Sequence, residues 1–478
     1  MIPTVTTKVG SLISLRSLLT VLIILYVISV FIPYLFKPDE PRPLRDNTWS
    51  HTEGPPGPDR ALLIQSPQDA LNVRLTLLRE ARESLDISYY AIWNDPAGIA
   101  FIHELLNAAD RGVKVRLILD GKMGLPSPVN RRVLAAHENI QVARYNVPKL
   151  WKPWRLNENL HDKFIVADST HLLLGGRNIE SQHYVPENSG RIVKYDWDVL
   201  VETESADHPE SVIPKVEAYH AQLMAHSLTE HVKIPSERSR MNALTKDRQT
   251  IEESARLFQD EYPQYYTKHL VDYETHLLPT ERIGLLHNPL TPGRKTPWLA
   301  QDLQELAFQA ETSVFIQTPY ATSTPDMLAD LTELANQVDV TYLTNSPGST
   351  PNLPAFSNYY FQRKNFVDTG IDIYEFQSTD SIHGKAYILD EKISIVGSFN
   401  LDSRSRYIST ETMLVIDSVE FTKSMKEESN EFLLQSLVVG PDNEYQQTDE
   451  VQEVKAPPLK KILMAVIYVL LKPVQFFL

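Results

Sequence analysis

Two stretches of the chain carry the same pattern of reactive side chains. The first is HDKFIVADSTHLLLGGRN at 161–178, and the second is HGKAYILDEKISIVGSFN at 383–400. Each contains a histidine, a lysine two residues later, an aspartate five residues after the lysine, and a Gly-Gly or Gly-Ser pair before an asparagine. One such match is weak, because short motifs recur by chance, but two copies with the same histidine-to-asparagine spacing indicate an internal duplication.

The histidines and lysines of the two copies suit the chemistry of a phosphodiester. His161 and Lys163 are two residues apart on a predicted strand, so both side chains leave the same face, as do those of His383 and Lys385. If the copies pack about a pseudo-twofold axis, two imidazoles and two ammonium groups surround one site. The lysines can then neutralise the non-bridging phosphate oxygens. One histidine can attack phosphorus while the other protonates the departing alcohol.

Two further pairs of residues belong to the repeated pattern. Asn178 and Asn400 follow glycines that let the backbone approach a ligand, and we expect their side chains to bind the substrate phosphate. Asp168 and Asp390 fall where each strand turns, and the repeat places them in the candidate catalytic set. The alternative for these aspartates is a carboxylate that caps a turn or pairs with a basic side chain without touching substrate.

A reactive histidine needs a carboxylate on its other ring nitrogen to hold the ring and its tautomer. Glu411, on the strand TETMLVID, is the candidate in the second half. In the first half the insertion SQHYVPENSGRIVK breaks the spacing, and Asp198 in YDWDVLV is predicted to take the equivalent position, with Asp196 nearby on the same strand face. The chain has no H-E-x-x-H motif and no carboxylate cluster at metal-ligand spacing, so we expect neither a metal nor another cofactor.

Alternating strands and helices must position these residues. The first half offers an amphipathic helix at 67–84, the strand LDISYYAIW, a helix through 97–111 and the strand VKVRLILD. The second half repeats the order, with a helix near 300–310, the strand SVFIQTPY, a helix through 325–337 and the strand VDVTYLT. This alternation predicts an α/β fold of two similar halves with pseudo-twofold symmetry, mixed sheets flanked by helices, and a single active site between the halves.

The composition argues against several functions. The formal net charge of −15 over 478 residues disfavours a nucleic-acid binder, which needs a surplus of lysine and arginine. A local basic site for a phosphate ester remains compatible with this charge. The chain has no cysteine, which excludes disulfides, thiolate catalysis and cysteine metal sites.

Both ends of the chain are apolar. Residues 17–36 carry no charge and are about long enough to span a bilayer as a helix. The alternative is a cleaved secretory signal, but the apolar run is long for that and lacks a small-residue cleavage pattern, so we expect an uncleaved single-pass anchor. Basic residues are nearly balanced on its two sides and do not predict the orientation. The shorter run 462–471 lies between lysines and is predicted to rest in the membrane interface, or else to be a terminal helix packed on the body.

The predicted organisation has six parts. They are a transmembrane anchor at 1–36, a proline-rich tether at 37–58, a first half at 59–235, a polar helical connection at 236–275, a second half at 276–440, and an acidic linker with the interface tail at 441–478.

These features resemble the phospholipase D superfamily, whose hallmark is a duplicated H-x-K-x4-D motif, over most of residues 60–440. YYAIWND, GGRNIE, GSFNLDSRS and the lysine-bearing apolar tail resemble bacterial cardiolipin synthases, most closely the cardiolipin synthase C group. The resemblance implies an enzyme of the bacterial inner membrane that passes a phosphatidyl group through a phosphohistidine to phosphatidylglycerol. Phosphatidylglycerol and phosphatidylethanolamine are the donors it implies. By the same resemblance His161 is the nucleophile and His383 the acid and base, a choice that the residues themselves leave open.

The resemblance is imperfect, and it leaves alternatives. Where the family pattern leads us to expect an aspartate and a histidine, this chain has Asn352 and Ser357, which bears on the choice of donor or acceptor. The main alternative is a phospholipase D-type hydrolase, in which water replaces the acceptor alcohol. The charge and the anchor disfavour a nuclease, and the retention of both histidines and both lysines disfavours an inactive scaffold. The sequence does not identify an activating protein.

Overall fold

The computed structural model describes residues 15–36, 38, 56–125, 127–184, 191–234, 236–322 and 324–477. The predicted tether at 37–58 therefore lies mostly outside the described residues. So do the first residues of the predicted anchor.

The strands in chain order are β1 Asp59–Ile64, β2 Ser84–Tyr89, β3 Lys114–Asp120, β4 Ile140–Tyr145, β5 Lys163–Ala167, β6 His171–Gly175, β7 Lys194–Tyr195, β8 Asp198–Thr203, β9 Thr229–His231, β10 Leu278–Pro279, β11 Arg282–His287, β12 Ser313–Gln317, β13 Asp339–Asn345, β14 Asp372–Phe376, β15 Ser381–Ile382, β16 Ala386–Leu389, β17 Ile393–Gly397, β18 Thr412–Asp417 and β19 Ser436–Val439. The α-helices are α1 Leu15–Phe31, α2 Pro67–Glu80, α3 Pro96–Asp110, α4 Pro128–Ala136, α5 Ile213–Ala225, α6 Glu237–Asn242, α7 Arg248–Glu261, α8 Leu270–Glu274, α9 Trp298–Ala307, α10 Pro325–Ala335, α11 Leu353–Val367, α12 Ser403–Tyr407, α13 Val419–Leu433 and α14 Pro458–Leu471.

The two large sheets repeat one topology. The first has the order β10-β1-β8-β6-β5-β2-β3-β4-β9, and the second has the order β11-β18-β17-β16-β12-β13-β14-β19. From β1 and β11 onwards the strands correspond one to one, with β2, β3 and β4 parallel in one sheet and β12, β13 and β14 parallel in the other. The prediction of two similar α/β halves with mixed sheets is confirmed.

Local signals in the sequence explain where the crossover helices begin. The side chain of Ser66 accepts a hydrogen bond from the backbone of Asp69 at the start of α2, and Asp95 accepts one from Gly98 at the start of α3. A proline follows each of these capping residues, where its missing N–H costs nothing. The helices then pack on strands such as β5, whose residues are all buried, as expected for a sheet covered on both faces.

The two sheets face each other across a shared apolar core. This middle core includes Phe164 and Val199 from the first half and Val396 and Leu414 from the second. Helices α5 and α13 contribute to it, and an outer core lies on the far side of each sheet. Since burial of apolar surface is the main favourable term in folding, the shared core holds the halves in a fixed relation.

The polar segment at 236–275 is helical and packs on the first half. It contains α6, a π-helical turn at Ala243–Asp247, α7, a 3₁₀ turn at Pro263–Tyr266 and α8. Ile251, Phe258 and Tyr265 enter the outer core of the first half, while the polar side chains face outwards. Strand β10 then pairs with β1, so the first sheet still takes residues from beyond position 276, where the sequence predicts the second half to begin.

The described residues begin and end in helical segments. The stretch Ser17–Tyr34, which covers most of α1 and the 3₁₀ turn Ile32–Tyr34, is long and apolar enough to cross a membrane, with a mean hydropathy of 2.3. At the other end, α14 packs on α11 and continues into a 3₁₀ segment at Lys472–Phe477. Tyr34 is only 3 % exposed, which shows that the end of the apolar helix is embedded in the protein body.

Candidate active site

Two short bridges between the halves bring the repeated motifs together. Strand β15 of the second half pairs in parallel with β7 of the first, and the backbone N–H of His383 donates to the carbonyl of Tyr195 at 2.6 Å. On the other side Leu160 forms a parallel bridge with Thr410, whose Oγ1 accepts from the backbone N–H of His161 at 3.0 Å. Each histidine thus enters the site on a strand end that is fixed by the opposite half.

The two histidines line a single cleft of about 820 Å³ between the halves. Asn178, Asn400 and Glu411 line the same cleft. No side chain of the helical segment 236–275 is among those that line it in the described part of the chain. Other lining residues are Tyr90, Trp93, Asn159, Glu180, His183, Lys194, Tyr320, Asn352, Asp402, Arg404, Leu463, Ile467 and Phe477.

The carboxylate that orients each histidine comes from the opposite half. Nδ1 of His161 lies 2.9 Å from Oε2 of Glu411, and Nδ1 of His383 lies 2.6 Å from Oδ2 of Asp196. A carboxylate at Nδ1 holds the proton on that nitrogen, so the lone pair of a neutral ring is on Nε2. Both rings are therefore poised to react through Nε2.

The prediction that Asp198 orients a histidine is wrong. Asp198 is fully buried and accepts from Arg74 at 2.8 and 2.9 Å and from Arg177 at 2.7 Å. Strand pairing explains the misassignment. Gly175 pairs with Asp198 and Gly397 pairs with Met413, so the equivalent of Glu411 lies two residues before Asp198, at Asp196.

The glycine of the first motif and the serine of the second determine the space and the hydrogen bonds available to these orienting carboxylates. A Cβ atom on Gly176 would lie 2.2 Å from Oδ1 of Asp196, so only glycine leaves room for the carboxylate. Ser398 occupies the same motif position in the second half, and its hydroxyl donates to Glu411 at 2.5 Å. Ser405 donates to the other carboxylate oxygen at 2.8 Å. Aspartate, with the shorter side chain, therefore contacts the glycine of the first motif, and glutamate, with the longer side chain, contacts the serine of the second.

Lys163 and Lys385 lie beneath the histidines and are almost fully buried. Each ammonium group donates to the backbone carbonyl of the histidine two residues earlier, and Lys163 also lies 5.5 Å from the ring centre of Tyr90. Burial lowers the pKa of Lys163 to about 7 and that of Lys385 to about 8. An anion in the cleft would oppose this effect, because a negative charge nearby favours the protonated amine.

The histidines are held neutral by the same surroundings. Burial, followed by the charges of Lys163 and Lys385, lowers the pKa of His161 well below its usual value. Burial and the nearby Lys385 likewise lower the pKa of His383. Burial raises the pKa of Glu411 to about 7. A neutral imidazole with a free Nε2 lone pair is the form that a nucleophile requires.

Asn178 and Asn400 are available to a ligand. The side-chain oxygen of each is buried and has no hydrogen-bond partner. A buried polar atom without a partner costs free energy, and a bound group that donates or bridges to it removes that cost. Both asparagines line the cleft that contains the two histidines, and their binding of the substrate phosphate stays a prediction.

Asp168 and Asp390 lie away from the cleft, and the structure contradicts their assignment to the catalytic set. Asp168 accepts from the backbone N–H groups of residues 82–84 at 2.8–3.0 Å, and Asp390 accepts from those of residues 311–313 at 2.7–3.0 Å. Both have left-handed backbone, with φ of 52° and 49°, at the turn between two strands. Their hydrogen bonds fix the starts of β2 and β12, so they affect the active site only by stabilising the fold.

Several cleft residues escape prediction from the sequence. The ring of His183 lies 5.1 Å from that of His383, and the ring of Tyr90 lies 5.1 Å from that of His161. His183 belongs to the insertion after the first motif, and that position is the only feature of the sequence that points to a place in the cleft. Ligand atoms of His183, Asp196 and His383 lie within 4.8 Å of one another, but Nζ of Lys385 is 2.9 Å from Nδ1 of His383 and its charge opposes a bound cation.

The two residues that depart from the family pattern lie in different surroundings. Asn352 lines the cleft and caps α11 by accepting from the backbone of Ala355 at 3.4 Å. Ser357 is buried within α11, where its hydroxyl donates to the carbonyl of Pro354 at 3.2 Å. Asn352 is therefore the departure that a substrate can meet.

Comparison with known proteins agrees with this arrangement. The model of the family described as "Cardiolipin synthase, PLD-like domain" matches residues 75–213 and 303–433, which together are more than half of the chain. Cardiolipin synthase C of Escherichia coli K12 is 25 % identical over 404 residues, covering 76 % of this chain and 82 % of that protein. An uncharacterized protein of Helicobacter pylori is 26 % identical over 404 residues and covers 78 % of both chains.

A solved structure shares the fold. Phosphatidylserine synthase of Haemophilus influenzae superposes with a TM-score of 0.61 at 14 % identity, covering 87 % of this chain and 95 % of that one. The family model, matched twice, falls on the two halves that supply the crossed histidine–carboxylate pairs. The chain is thus an enzyme of the phospholipase D superfamily and belongs to the family described as "Cardiolipin synthase, PLD-like domain".

Proposed function

We propose that this protein is a membrane-bound phosphatidyltransferase that makes cardiolipin, with phosphatidylglycerol as the acceptor. The observation that carries the proposal is the pair of histidines in one cleft, each oriented by a carboxylate of the opposite half at 2.6–2.9 Å. Two separate imidazoles allow one to form a covalent intermediate while the other moves protons. The two buried lysines supply the charge that a phosphodiester anion needs.

In the first step Nε2 of His161 attacks the phosphorus of the donor phospholipid. The bond from nitrogen to phosphorus forms, the bond from phosphorus to the headgroup oxygen breaks, and the departing alcohol takes a proton from His383. Although His383 is neutral in the empty site, the charge of the bound phosphodiester favours its protonated form. Lys163 and Lys385 stabilise the added negative charge on the non-bridging oxygens.

In the second step the free glycerol hydroxyl of phosphatidylglycerol attacks the phosphohistidine. Its proton passes to His383, the new oxygen–phosphorus bond forms, and the nitrogen–phosphorus bond of His161 breaks. The products are cardiolipin and the starting form of the enzyme. Asp196 stabilises the imidazolium of His383 whenever that ring carries the extra proton.

The apolar rim of the cleft favours transfer over hydrolysis. Leu463, Ile467 and Phe477 of the chain end line the cleft that also contains the histidines. An apolar rim accommodates acyl chains and excludes water, and exclusion of water protects a phosphohistidine from hydrolysis. A phospholipase D-type hydrolysis remains the second candidate, because it shares the first step.

We further propose that Ser17–Tyr34 anchors the protein in the bacterial inner membrane and that α14 lies in the membrane interface. The apolar length of the first segment and the flanking lysines of the second support this arrangement. Phosphatidylglycerol and phosphatidylethanolamine are the proposed donors.

A lipid assay tests the reaction. Purified protein in mixed micelles receives labelled phosphatidylglycerol with and without phosphatidylethanolamine, and the products are separated by mass. We expect cardiolipin, and its dependence on phosphatidylethanolamine identifies the donor. Phosphatidic acid without cardiolipin would refute transfer and establish hydrolysis.

Two variants test the shared site. His161→Ala and His383→Ala should each abolish turnover, whereas His276→Ala, at an exposed position outside the cleft, should leave it unchanged. Near-normal activity in either of the first two variants would contradict the two-histidine mechanism.

A further inference from the structure

The geometry points to a membrane-docking collar around the mouth of the cleft. We define the collar as the loop 149–155, the end of α1 with its 3₁₀ turn, and the chain end 458–477. Its occupant is the headgroup and upper acyl region of a phospholipid bilayer, so that the cleft opens directly onto the membrane surface. This inference rests on the proposed function, since it concerns how lipids reach the same site.

The loop 149–155 has the sequence KLWKPWR, in which three basic residues are interspersed with apolar ones. Leu150 is 76 % exposed and Trp151 is 73 % exposed, and Trp154 is 43 % exposed. Three large apolar side chains exposed in one short loop are costly in water. Tryptophan with neighbouring lysine and arginine is the combination typical of the interface between bilayer and water.

This loop packs on the end of α1. Residues of α1 contact the 3₁₀ turn Pro153–Arg155, and the side chain of Asn157 donates to the carbonyl of Val30 at 3.2 Å. Because the membrane-spanning length ends at Tyr34, which is buried in the body, the residues packed around that end lie at the level of the lipid headgroups.

The chain end also packs on this end of α1. The ring of Phe477 lies 4.8 Å from that of Phe31 and 5.1 Å from that of Tyr34. Arg404, which lines the cleft, donates to the carbonyls of Phe477 and Asn157, each at 3.0 Å. One arginine therefore ties the loop side and the tail side of the collar together at the mouth of the cleft.

Helix α14 connects the exposed apolar surface of the collar with the active-site cleft. Leu459, Val469 and Leu470 of α14 are 68–75 % exposed, whereas Leu463 and Ile467 line the cleft. An apolar path thus runs from the exposed face of α14 to the histidines. A bilayer fits this face better than a protein partner, since the face is continuous with a helix long enough to span the membrane and is edged by lysines.

Fluorescence quenching by brominated lipids tests the collar in the full-length protein. The protein is reconstituted into phosphatidylcholine–phosphatidylglycerol vesicles with or without phosphatidylcholine brominated in the acyl chains. The chain has six tryptophans, and we expect the double variant Trp151→Phe/Trp154→Phe to lose at least half of the quenchable intensity. Trp197→Phe is the matched control, because Trp197 is 1 % exposed and should contribute little to the quenching. Unchanged quenching in the double variant would overturn the collar.

The same vesicles are assayed for cardiolipin, which separates this inference from the proposed function. Cardiolipin synthesis together with unchanged quenching in the double variant would reject the collar alone. Loss of quenching in the double variant, with no cardiolipin made by the parent protein, would support the collar and reject the proposed reaction.

Discussion

Replacing Asp196 or Asp198 with asparagine should separate catalysis from stability at two neighbouring positions. Asp196 holds Nδ1 of His383 at 2.6 Å, and Asp198 holds the guanidinium groups of Arg74 and Arg177. Asparagine keeps the shape of each side chain but removes its charge. The first change should therefore slow turnover, and the second should lower the free energy of unfolding.

The magnitudes follow from the contacts. A hydrogen bond to a charged group contributes about 1.5–3 kcal/mol, and a tenfold change in rate corresponds to about 1.4 kcal/mol. Asp196→Asn should therefore slow cardiolipin formation roughly 10- to 150-fold. Asp198→Asn leaves two fully buried arginines without their carboxylate, and breaking a buried ion pair costs about 3–5 kcal/mol.

Both variants are compared with the parent protein by cardiolipin formation in mixed micelles and by thermal unfolding followed by circular dichroism. Asp196→Asn should keep its unfolding midpoint close to that of the parent. Asp198→Asn should unfold several degrees earlier, yet turn over normally at a temperature where it is folded. Full activity in Asp196→Asn, or an inactive Asp198→Asn with an unchanged midpoint, would refute the assignment of the two carboxylates.

The remaining predictions concern other parts of the site. Gly176→Ser should displace the carboxylate of Asp196 and reduce turnover at least tenfold, whereas Gly176→Ser with Asp196→Glu copies the second half and should recover part of the loss in the same assay. Because the pKa values of Lys163 and Lys385 are lowered to about 7 and about 8, kcat/KM should fall as pH rises through 7–8 and these lysines lose their protons. The acid limb should lie well below pH 6.5, since His161, which must be neutral to attack phosphorus, becomes protonated only there; a profile that rises through pH 7–8 would contradict this account. Asp390→Asn should lower the thermal midpoint but change kcat by less than about twofold, and a large loss of kcat in stable protein would return Asp390 to the catalytic set.

The duplication made much of the fold predictable from the sequence. Each strand-and-helix unit was recognisable because apolar strands alternate with amphipathic helices, and the second half repeats the order of the first. The positions of His161 and His383 in one cleft followed from the same repeat. These are the features that periodicity and spacing determine directly.

The orienting carboxylates needed the strand register, which a single sequence does not determine. Asp196 and Asp198 are two residues apart in the predicted strand YDWDVLV, where alternation places both on the same face and cannot distinguish between them. The choice depends on the pairing of Gly175 with Asp198, and on Arg74, which lies far away in the sequence and neutralises Asp198. For the same reason the sequence did not reveal that each carboxylate serves the histidine of the other half.

The turn aspartates were misassigned because spacing alone cannot distinguish a structural repeat from a catalytic one. Asp168 and Asp390 recur in both motifs because both hairpins need a residue that tolerates left-handed backbone and accepts several backbone N–H groups. Only the positions of those donors, on loops more than seventy residues earlier, show that the carboxylates point away from the cleft.

The crossed pairing of histidines and carboxylates makes the two halves interdependent in their history as well as in their chemistry. A fragment that ends at residue 235 contains His161 but lacks Glu411, and a fragment that begins at 276 contains His383 but lacks Asp196. Neither fragment holds one complete histidine–carboxylate pair, so activity can arise only after the halves have docked. Selection on one motif therefore acts on residues of the other half, and the duplicated gene segments cannot diverge independently at these positions.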